Sequence, residues 1–548
     1  MGTGKPRIGL EANQASSRFE LTDDRILGFV NDDLQIADRT QWFTGPQWSI
    51  LKASPAHSVS MTGWHANCTR PRRPSSPLRA RTALACYQAP FGQLEFSMEK
   101  LIIEGGIPLH GTVRSSGAKN AALPILLASI LAEGEHRFVN VPDLADVSHV
   151  LSLLGRIGCP SLHTSDPADG SVRIDASRIA FCEAPYDVVR KMRASVLVLG
   201  PLLARHGEAR VSLPGGCAIG TRPIDLHLRG LEALGCHFEL KGGMIHGTAP
   251  NGLTGADIHL DFPTVGGTEN IVMAATLARG VSQIRNAARE PEIVDLCNFL
   301  VTLGARIEGA GTSTITVHGV EQLHASEAPY SILPDRIETG TYLCAAAVTG
   351  GDVTVTHTDP HILTTVLDAL RDAGCTVETT DTTIRCIAPE KIQAFDLQTL
   401  PYPGFPTDMQ AQLMVVACLA QGRSIIEETI FENRFMHVAE LRRMGADIEN
   451  DSRTATIIGQ DSLQPASVMA SDLRASAALV LAALSTSDLS EVLRIYHLDR
   501  GYEDLVGKLR ALGARIARVN DAIDDRAALK RVLDRVEHEG RAPLSAIA

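Results

Sequence analysis

A segment of the form Leu-x-x-apolar-Gly recurs six times, and it constrains the fold of this chain more than any other feature. A glycine directly behind an apolar helix face and directly before a strand-like run is typical of a helix C-cap. The six glycines lie 68 to 77 residues apart, at Gly158, Gly235, Gly304, Gly374, Gly445 and Gly513. A second series, spaced 70 to 73 residues apart, is predicted to end another set of helices at Gly134, Gly207, Gly280, Gly350 and Gly422.

Each repeat unit of about 70 residues is therefore predicted to run helix, glycine, strand, loop, helix, glycine, strand. Units of this length are supersecondary modules, longer than the repeats of most solenoids. Helices that alternate with strands indicate an α/β fold. Six units in a chain of 548 residues predict two domains of three units each, with a linker near residues 325–334.

The two ends of the chain do not follow the repeat. Residues 1–97 contain all three tryptophans and a stretch rich in arginine, proline and serine at 70–81, a composition that favours disorder. A strand-like run then opens at Met98. We expect residues 1–97 to be a disordered appendage or an upstream mis-start, and residues 521–548 to form a short charged helix. The predicted apolar side of that helix consists of Ile523, Leu529, Val532 and Val536.

Composition excludes several classes of function. A formal net charge of −12 argues against a nucleic-acid surface, and no apolar run reaches the roughly 18 residues that a membrane span requires. The eleven cysteines are scattered without a CxxC pair, which favours reduced thiols over disulfides or structural zinc. The eighteen histidines show no metal-ligand spacing. These features predict a cytoplasmic enzyme, monomeric by default, without metal, membrane or nucleic-acid partners.

Cys217 lies in the sequence Leu-Pro-Gly-Gly-Cys-Ala-Ile-Gly-Thr-Arg, which ends at Arg222. The three glycines favour a mobile loop, and the arginine favours a thiolate and attracts anions. This setting predicts a proton donor or nucleophile that acts on an anionic substrate. The alternative, a buried cysteine that packs as a small apolar residue, is the interpretation we prefer for the other ten cysteines.

Further polar residues recur at equivalent turns of the repeat units. Because pseudo-symmetric units place equivalent turns at the same end, these side chains should line one end of each domain, near helix N-termini that favour anions. Such a site suits a phosphate-bearing substrate and acid–base chemistry. The residues in question are Lys119, Asn120, Arg193, Arg289, Asp408, Arg434, Arg474 and Arg500.

Simpler explanations exist for some of these residues. Arg193 and Arg474 share the tripeptide Arg-Ala-Ser, so either could be a structural arginine that ties a helix to a loop. Lys119 could be an ordinary solvated lysine. Asp408 could simply favour the first turn of its helix.

Six motifs in order resemble the UDP-N-acetylglucosamine 1-carboxyvinyltransferase family, also called UDP-N-acetylglucosamine enolpyruvyl transferases. The resemblance runs from about residue 98 to residue 520 and does not cover the two ends. The motifs occupy residues 116–124, 213–222, 289–295, 405–412, 431–437 and 494–502.

The resemblance implies a two-domain inside-out α/β barrel, in which each domain has three βαβαββ-type units with helices inside and sheets outside. Domain I would comprise residues 98–118 plus 333–520, and domain II residues 119–332. The implied reaction moves the enolpyruvyl group of phosphoenolpyruvate to the 3′-hydroxyl of UDP-N-acetylglucosamine and releases phosphate. It is the first committed step of peptidoglycan precursor synthesis, needs no cofactor, and is the target of fosfomycin.

The resemblance also implies roles for individual residues. Cys217 would be the proton donor and Asp408 the base, while Lys119 and Arg500 would act on phosphoenolpyruvate with help from Arg222. Further residues of the cleft would be Asn120, Arg193, Arg434 and Arg474. The nucleotide sugar would lie against Arg222, Pro223, Ile224, Asp225, Leu226, Phe262, Pro263, Thr264, Val265 and the backbone of Ile430.

Two other functions are alternatives to the one that the resemblance implies. The sister enzyme, 5-enolpyruvylshikimate-3-phosphate synthase, shares the fold and the donor, but its loop has no cysteine at the position of Cys217. A non-catalytic binding protein on the same fold would be expected to have lost Cys217, Asp408 or Arg500, and all three are present.

Overall fold

The computed structural model describes the strands Leu27–Val30 and Asp33–Ile36 and residues 99–164, 170–190, 192–213 and 224–539. The chain divides into two units, residues 1–92 and 93–548. In the first unit the two strands pair antiparallel, with Leu27 opposite Ile36. The rest of the predicted appendage lies outside the described residues.

Helices of the second unit fall into two groups, and one group is largely buried. These central helices are rich in alanine, leucine and valine around their whole circumference, as expected for helices enclosed by other elements. They are Lys119–Ala128, Leu199–His206, Val265–Ala275, Arg336–Thr349, Gln410–Cys418 and Leu473–Leu484. Short 3₁₀ turns precede or follow several helices, at Ser129–Leu131, Arg193–Val198, Pro360–Ile362, Thr407–Met409 and Ile495–Arg500.

The other group has one buried face and one exposed face. It consists of Ala145–Ile157, Tyr186–Val189, Asp225–Ala233, Pro291–Thr302, Thr364–Asp372, Val438–Arg443, Leu505–Ala511 and Arg526–Glu539. All six glycines of the first series have positive φ and lie one or two residues beyond such a helix, as predicted. In the second series Gly207 and Gly350 cap helices directly. Gly134, Gly280 and Gly422 instead lie four to six residues past the helix, because further turns intervene before the next strand.

Six four-stranded sheets share one topology in the described residues, which confirms the predicted sixfold repeat. In each sheet one edge strand runs parallel to its neighbour, and the remaining pairs are antiparallel. Three sheets, in spatial order, are Tyr330–Ser331, Glu135–Val139, Ser171–Asp175 and Ser161–Thr164; His237–Lys241, Met244–Thr248, Glu208–Ser212 and Glu183–Ala184; and Asp257–His259, Val281–Arg285, Thr314–His318 and Arg306–Glu308.

The other three sheets belong to the remainder of the unit. They are Thr376–Thr379, Thr383–Ile387, Asp352–Thr356 and His110–Arg114; Leu397–Gln398, Arg423–Glu427, Thr454–Ile458 and Asp447–Asp451; and Ser467–Met469, Leu489–Leu493, Glu99–Glu104 and Arg515–Asn520. A two-stranded sheet pairs Ala132–Glu133 with Leu323–His324.

Two large hydrophobic cores lie between the central helices and the sheets. Core 1 is built from residues between 118 and 332, and core 2 from residues between 101 and 113 and between 337 and 516. The chain passes from core 2 to core 1 at residues 115–118 and returns at residues 333–335. These two crossovers are hydrogen-bonded to each other: Ala118 N–H donates to the Leu333 carbonyl and Asp335 N–H to the Ser116 carbonyl, both at 2.8 Å.

The helix Arg526–Glu539 packs on the last sheet of core 2. Leu529 and Leu533 are buried there against Ile102 and Ala517. The predicted apolar side did not include Leu533. Val532, which the prediction did include, is only partly buried. No helix within the described residues is both long and apolar enough to cross a membrane.

Candidate active site

Asp408 lies in the 3₁₀ turn that leads into the buried helix Gln410–Cys418. Its two carboxylate oxygens pair with Arg434 at 2.7 Å and with Arg474 at 3.0 Å. Burial alone would raise the pKa of this carboxyl, but the charges of Arg474, Arg434 and Lys119 hold the pKa far below its ordinary value. Asp408 is therefore ionised at every physiological pH.

Lys119 and Arg500 share a second carboxylate, that of Asp146. The Lys119 ammonium is 3.4 Å from Asp146 Oδ2, and Arg500 reaches both oxygens, with Nε 3.0 Å from Oδ1. The Asp146 side chain is 3% exposed. Sequence reasoning missed this residue, since an acid in the first turn of a helix ordinarily complements the helix dipole.

These two ion-pair groups form one electrostatic cluster. Burial is the largest effect on the pKa of Lys119 and lowers it. The positive charges of Arg474 and Arg500 also lower this pKa, whereas the negative charges of Asp146 and Asp408 raise it. Charges from both ion-pair groups therefore act on the same ammonium. We call this set the charge cluster: Lys119 and Asp146 from core 1, with Asp408, Arg434, Arg474 and Arg500 from core 2. Four cations face two carboxylates, which leaves an excess of positive charge for an anionic ligand.

Arg474 retains donors for such a ligand. Its backbone N–H is held by the helix-capping Asp472, and one terminal nitrogen binds Asp408. Its Nε and Nη1 atoms are buried, and neither makes a hydrogen bond of good geometry within the described residues, although the Tyr502 hydroxyl is close enough to interact with the guanidinium. The guanidinium carbon lies 5.5 Å from the centre of the Tyr502 ring, which shields one face.

A second group of predicted residues meets around His227 in core 1. Asn270 Nδ2 lies 3.2 Å from His227 Nδ1, and the amide is fixed because its oxygen accepts from Gly200 N–H. Burial lowers the pKa of His227 to about 4, assisted by Arg193 and opposed by Asp225, so the ring is neutral at pH 7. The sequence shows no metal-ligand spacing among the histidines, and nothing in it singles out His227.

The predicted nucleotide-binding segments begin two neighbouring helices. Ile224 directly precedes the helix Asp225–Ala233, and Leu226 is the second residue of that helix. The Thr264 hydroxyl caps the helix Val265–Ala275 by accepting a hydrogen bond from Gly267 N–H at 3.3 Å. The two helices pack against each other, so both N-terminal segments belong to core 1. Phe262 is 45% exposed beside the half-buried Pro263.

The remaining predicted residues lie at several places. Asn120 is half-buried beside Lys119 at the helix start. The Ile430 N–H donates to Glu428 Oε1 at 2.8 Å, so this N–H is already engaged within the protein. Cys217, Arg222 and Pro223 lie outside the described residues, in the interval 214–223. No cluster of three or more His, Cys, Asp or Glu side chains able to hold a metal occurs in the part of the chain that the structure describes.

Comparison with known proteins first defines the class. A family model described as EPSP synthase (3-phosphoshikimate 1-carboxyvinyltransferase) matches residues 103–509. The fold is similar to that of the enolpyruvyl transferase NikO from Streptomyces tendae, with a TM-score of 0.70 and 27% identity over 77% of this chain and 99% of that one. It is also similar to EPSP synthase from Acinetobacter baumannii, with a TM-score of 0.60 and 17% identity over 77% of this chain and 100% of that one. The protein thus has the enolpyruvyl transferase fold, as predicted.

Curated relatives then define the family. The UDP-N-acetylglucosamine 1-carboxyvinyltransferase of Acinetobacter baylyi is 54% identical over 424 residues, which are 77% of this chain and 100% of the relative. That of Desulfovibrio desulfuricans is 55% identical, over 77% of this chain and 99% of the relative. The chain belongs to the UDP-N-acetylglucosamine 1-carboxyvinyltransferase family, which confirms the family predicted from its motifs.

Proposed function

We propose that this protein transfers the enolpyruvyl group of phosphoenolpyruvate to the 3′-hydroxyl of UDP-N-acetylglucosamine and releases phosphate, in peptidoglycan precursor synthesis. The observation that carries the proposal is the charge cluster, which combines four buried or half-buried cations from both cores around two aspartates, Asp146 and Asp408. Phosphoenolpyruvate presents a phosphate and a carboxylate, the two groups that arginine binds in bidentate fashion. Membership of the family supports the same assignment.

Asp146 gives the cluster a resting state. Its carboxylate pairs with both Lys119 and Arg500 and offsets one of their two positive charges, so neither cation is without a counter-charge when no ligand is bound. We propose that the anionic groups of phosphoenolpyruvate displace this internal carboxylate or share the cations with it. The donor would then bind where both cores contribute charge.

The reaction needs a proton on the methylene carbon of phosphoenolpyruvate, which becomes a methyl group, attack by the sugar hydroxyl on the adjacent carbon, and elimination of phosphate with loss of one proton from that methyl group. We assign the first proton to Cys217 and acceptance of the hydroxyl proton to Asp408. A carboxylate that two arginines hold is a weak base. An anionic ligand beside Arg434 and Arg474 would offset their charge and raise the basicity of Asp408.

We propose further that the nucleotide sugar lies along the two helix N-termini at Ile224–Leu226 and Phe262–Val265, where backbone N–H groups favour a diphosphate. The paired crossovers and the separate cores support the division into domain I, residues 98–118 plus 333–520, and domain II, residues 119–332. The partners are these two small molecules. We propose a monomeric, cytoplasmic enzyme.

Phosphate release from phosphoenolpyruvate tests the proposal directly. We expect turnover with UDP-N-acetylglucosamine as acceptor and none with shikimate 3-phosphate; the reverse result would assign the sister reaction. Arg474→Gln should lose nearly all turnover, whereas the matched control Arg371→Gln alters an exposed arginine of core 2 and should not.

The cysteine is tested by the same assay with fosfomycin. The parent should be inactivated with one adduct on Cys217, since alkylation needs sulfur. Cys217→Asp should retain appreciable turnover and resist fosfomycin, because a carboxyl can donate a proton but cannot form the adduct. An adduct on another cysteine would remove Cys217 from this role.

A further inference from the structure

A polar cluster surrounds the first crossover, three residues before Lys119. Ser116 N–H donates to Glu338 Oε2 at 2.7 Å, and the Lys508 ammonium donates to Glu338 Oε1 at 2.7 Å and to Ser116 Oγ at 2.5 Å. The Ser116 hydroxyl in turn donates to Glu503 Oε2. We call Ser116, Glu338, Glu503 and Lys508 the crossover cluster. The Glu338 side chain is 2% exposed, and both of its oxygens accept hydrogen bonds within the crossover cluster.

Glu503 extends the crossover cluster to core 1. Its second oxygen, Oε1, accepts the backbone N–H of Asp143 at 2.7 Å. Asp143 lies three residues before Asp146, and Glu503 lies three residues after Arg500. The same two segments are thus joined twice, once by the Arg500–Asp146 ion pair and once by the Glu503–Asp143 hydrogen bond.

We infer that Glu503 is a positioning residue for the donor site, which holds Lys119 and Arg500 at the separation that binds phosphoenolpyruvate. The inference rests on the function proposed above. One carboxylate fixes the crossover that carries Lys119, through Ser116, and the segment of core 1 that faces Arg500, through Asp143. Any separation of the two cores at this point breaks the Glu503–Asp143 and Arg500–Asp146 contacts together. Glu503 therefore favours the arrangement in which both cations face one ligand.

This role predicts a specific kinetic change. Without the Glu503 carboxylate the cations are still present but are less often at the right separation, so binding suffers more than chemistry. We expect Glu503→Ala to raise KM for phosphoenolpyruvate about tenfold, the equivalent of one hydrogen bond to a charged group, with kcat within about threefold of the parent. Glu503→Gln keeps an oxygen that can accept the Asp143 N–H and should give an intermediate KM.

Hydrogen–deuterium exchange provides a readout that does not depend on turnover. In a peptide that spans residues 140–147, the Asp143 amide should exchange faster in Glu503→Ala than in the parent. The matched control is Glu390→Ala, which removes an exposed carboxylate of core 2 and should change neither exchange nor KM.

The outcomes separate this inference from the proposed function. An inactive parent would refute the proposed function, and the exchange experiment would still decide whether Glu503 holds Asp143. Unchanged exchange in Glu503→Ala, or a fall in kcat with KM unchanged, would overturn the positioning role. If Glu503→Ala does not fold, Glu503→Leu, which has no hydrogen-bond acceptor, decides: a raised KM with faster exchange supports the role, and parental values overturn it.

Discussion

Asp146 shows how a single side chain sets the resting state of the site. Its buried carboxylate is the counter-charge for Lys119 and Arg500, and breaking a buried ion pair typically costs about 3–5 kcal/mol. We expect Asp146→Asn to lower the melting temperature in phosphate-free buffer and to regain much of the loss when inorganic phosphate is added. Thermal melts with and without phosphate measure this.

The control for that experiment is Asp143→Asn, which alters an exposed side chain three residues away. The parent and this control should gain less from phosphate than Asp146→Asn does, since their own carboxylate already compensates the cations. Equal phosphate-induced stabilisation in all three proteins would contradict the counter-charge role.

At Asp408, one substitution can separate a role in catalysis from a role in starting a helix. Asp408→Asn keeps an acceptor for one arginine but removes the negative charge between Arg434 and Arg474. Turnover should fall by roughly 10²–10⁴-fold, the scale of a positioned acid–base group, while both substrates still bind. Steady-state kinetics with calorimetric binding checks both expectations. Normal turnover would return Asp408 to the role of a residue that starts a helix.

At the scale of elements, the helices Val265–Ala275 and Pro291–Thr302 place carboxyl groups close together in a buried region. Burial, with the nearby charges of Glu292 and Glu290, raises the pKa of Glu269 to about 8. Glu292 is itself held by a bidentate pair with the buried Arg336. At neutral pH Glu269 is thus mostly protonated in the folded protein, whereas it is ionised in the unfolded chain.

The sign of the resulting pH dependence follows from the raised pKa. The folded state binds the extra proton, so this contribution to stability is complete below about pH 4.5 and is lost as the pH rises towards 8. Glu269→Gln should flatten the fall of the unfolding free energy between pH 5 and 8, by an amount on the order of a few kcal/mol. Urea titrations at several pH values measure it. Glu239→Gln, on an exposed strand, is the control and should leave the slope as it is.

The sequence predicts an element well when the interactions that form it lie within a few residues along the chain. A glycine such as Gly235 or Gly513 acts on the helix beside it, so its spacing predicts the helix–strand repeat that the structure contains. The pairing of Asp146 with Arg500 joins residues 354 positions apart, and nothing in either local sequence indicates it. Glu503 escaped notice for the same reason. Lys119, Asp408 and Arg500 were identified through motifs, and the structure brings them together only by joining both cores.

At the scale of the whole molecule, the first and last strands described in residues 93–548 lie in the same sheet. The strand Glu99–Glu104 lies between Leu489–Leu493 and Arg515–Asn520, and the helix Arg526–Glu539 covers one face of this sheet. Arg518 of the last strand pairs with Asp499, the residue next to Arg500. The final helix is therefore linked, through one strand and one ion pair, to the loop that carries a cation of the charge cluster.

Removal of each end tests this arrangement. Deleting residues 521–548 uncovers Ile102 and Ala517 and removes the buried Leu529 and Leu533, and full burial of a leucine side chain contributes about 1.5–3 kcal/mol. We expect the unfolding free energy to fall by roughly 3–5 kcal/mol, with most of the change due to the two leucines because the ion pairs of this helix are exposed.

A protein that begins at Met98 should keep its stability and activity, since the six-unit repeat lies entirely after that residue. Denaturation and turnover of both truncated proteins, beside Leu529→Ala in the full chain, decide the matter. Unchanged stability after loss of the final helix would show that it does not support the sheet.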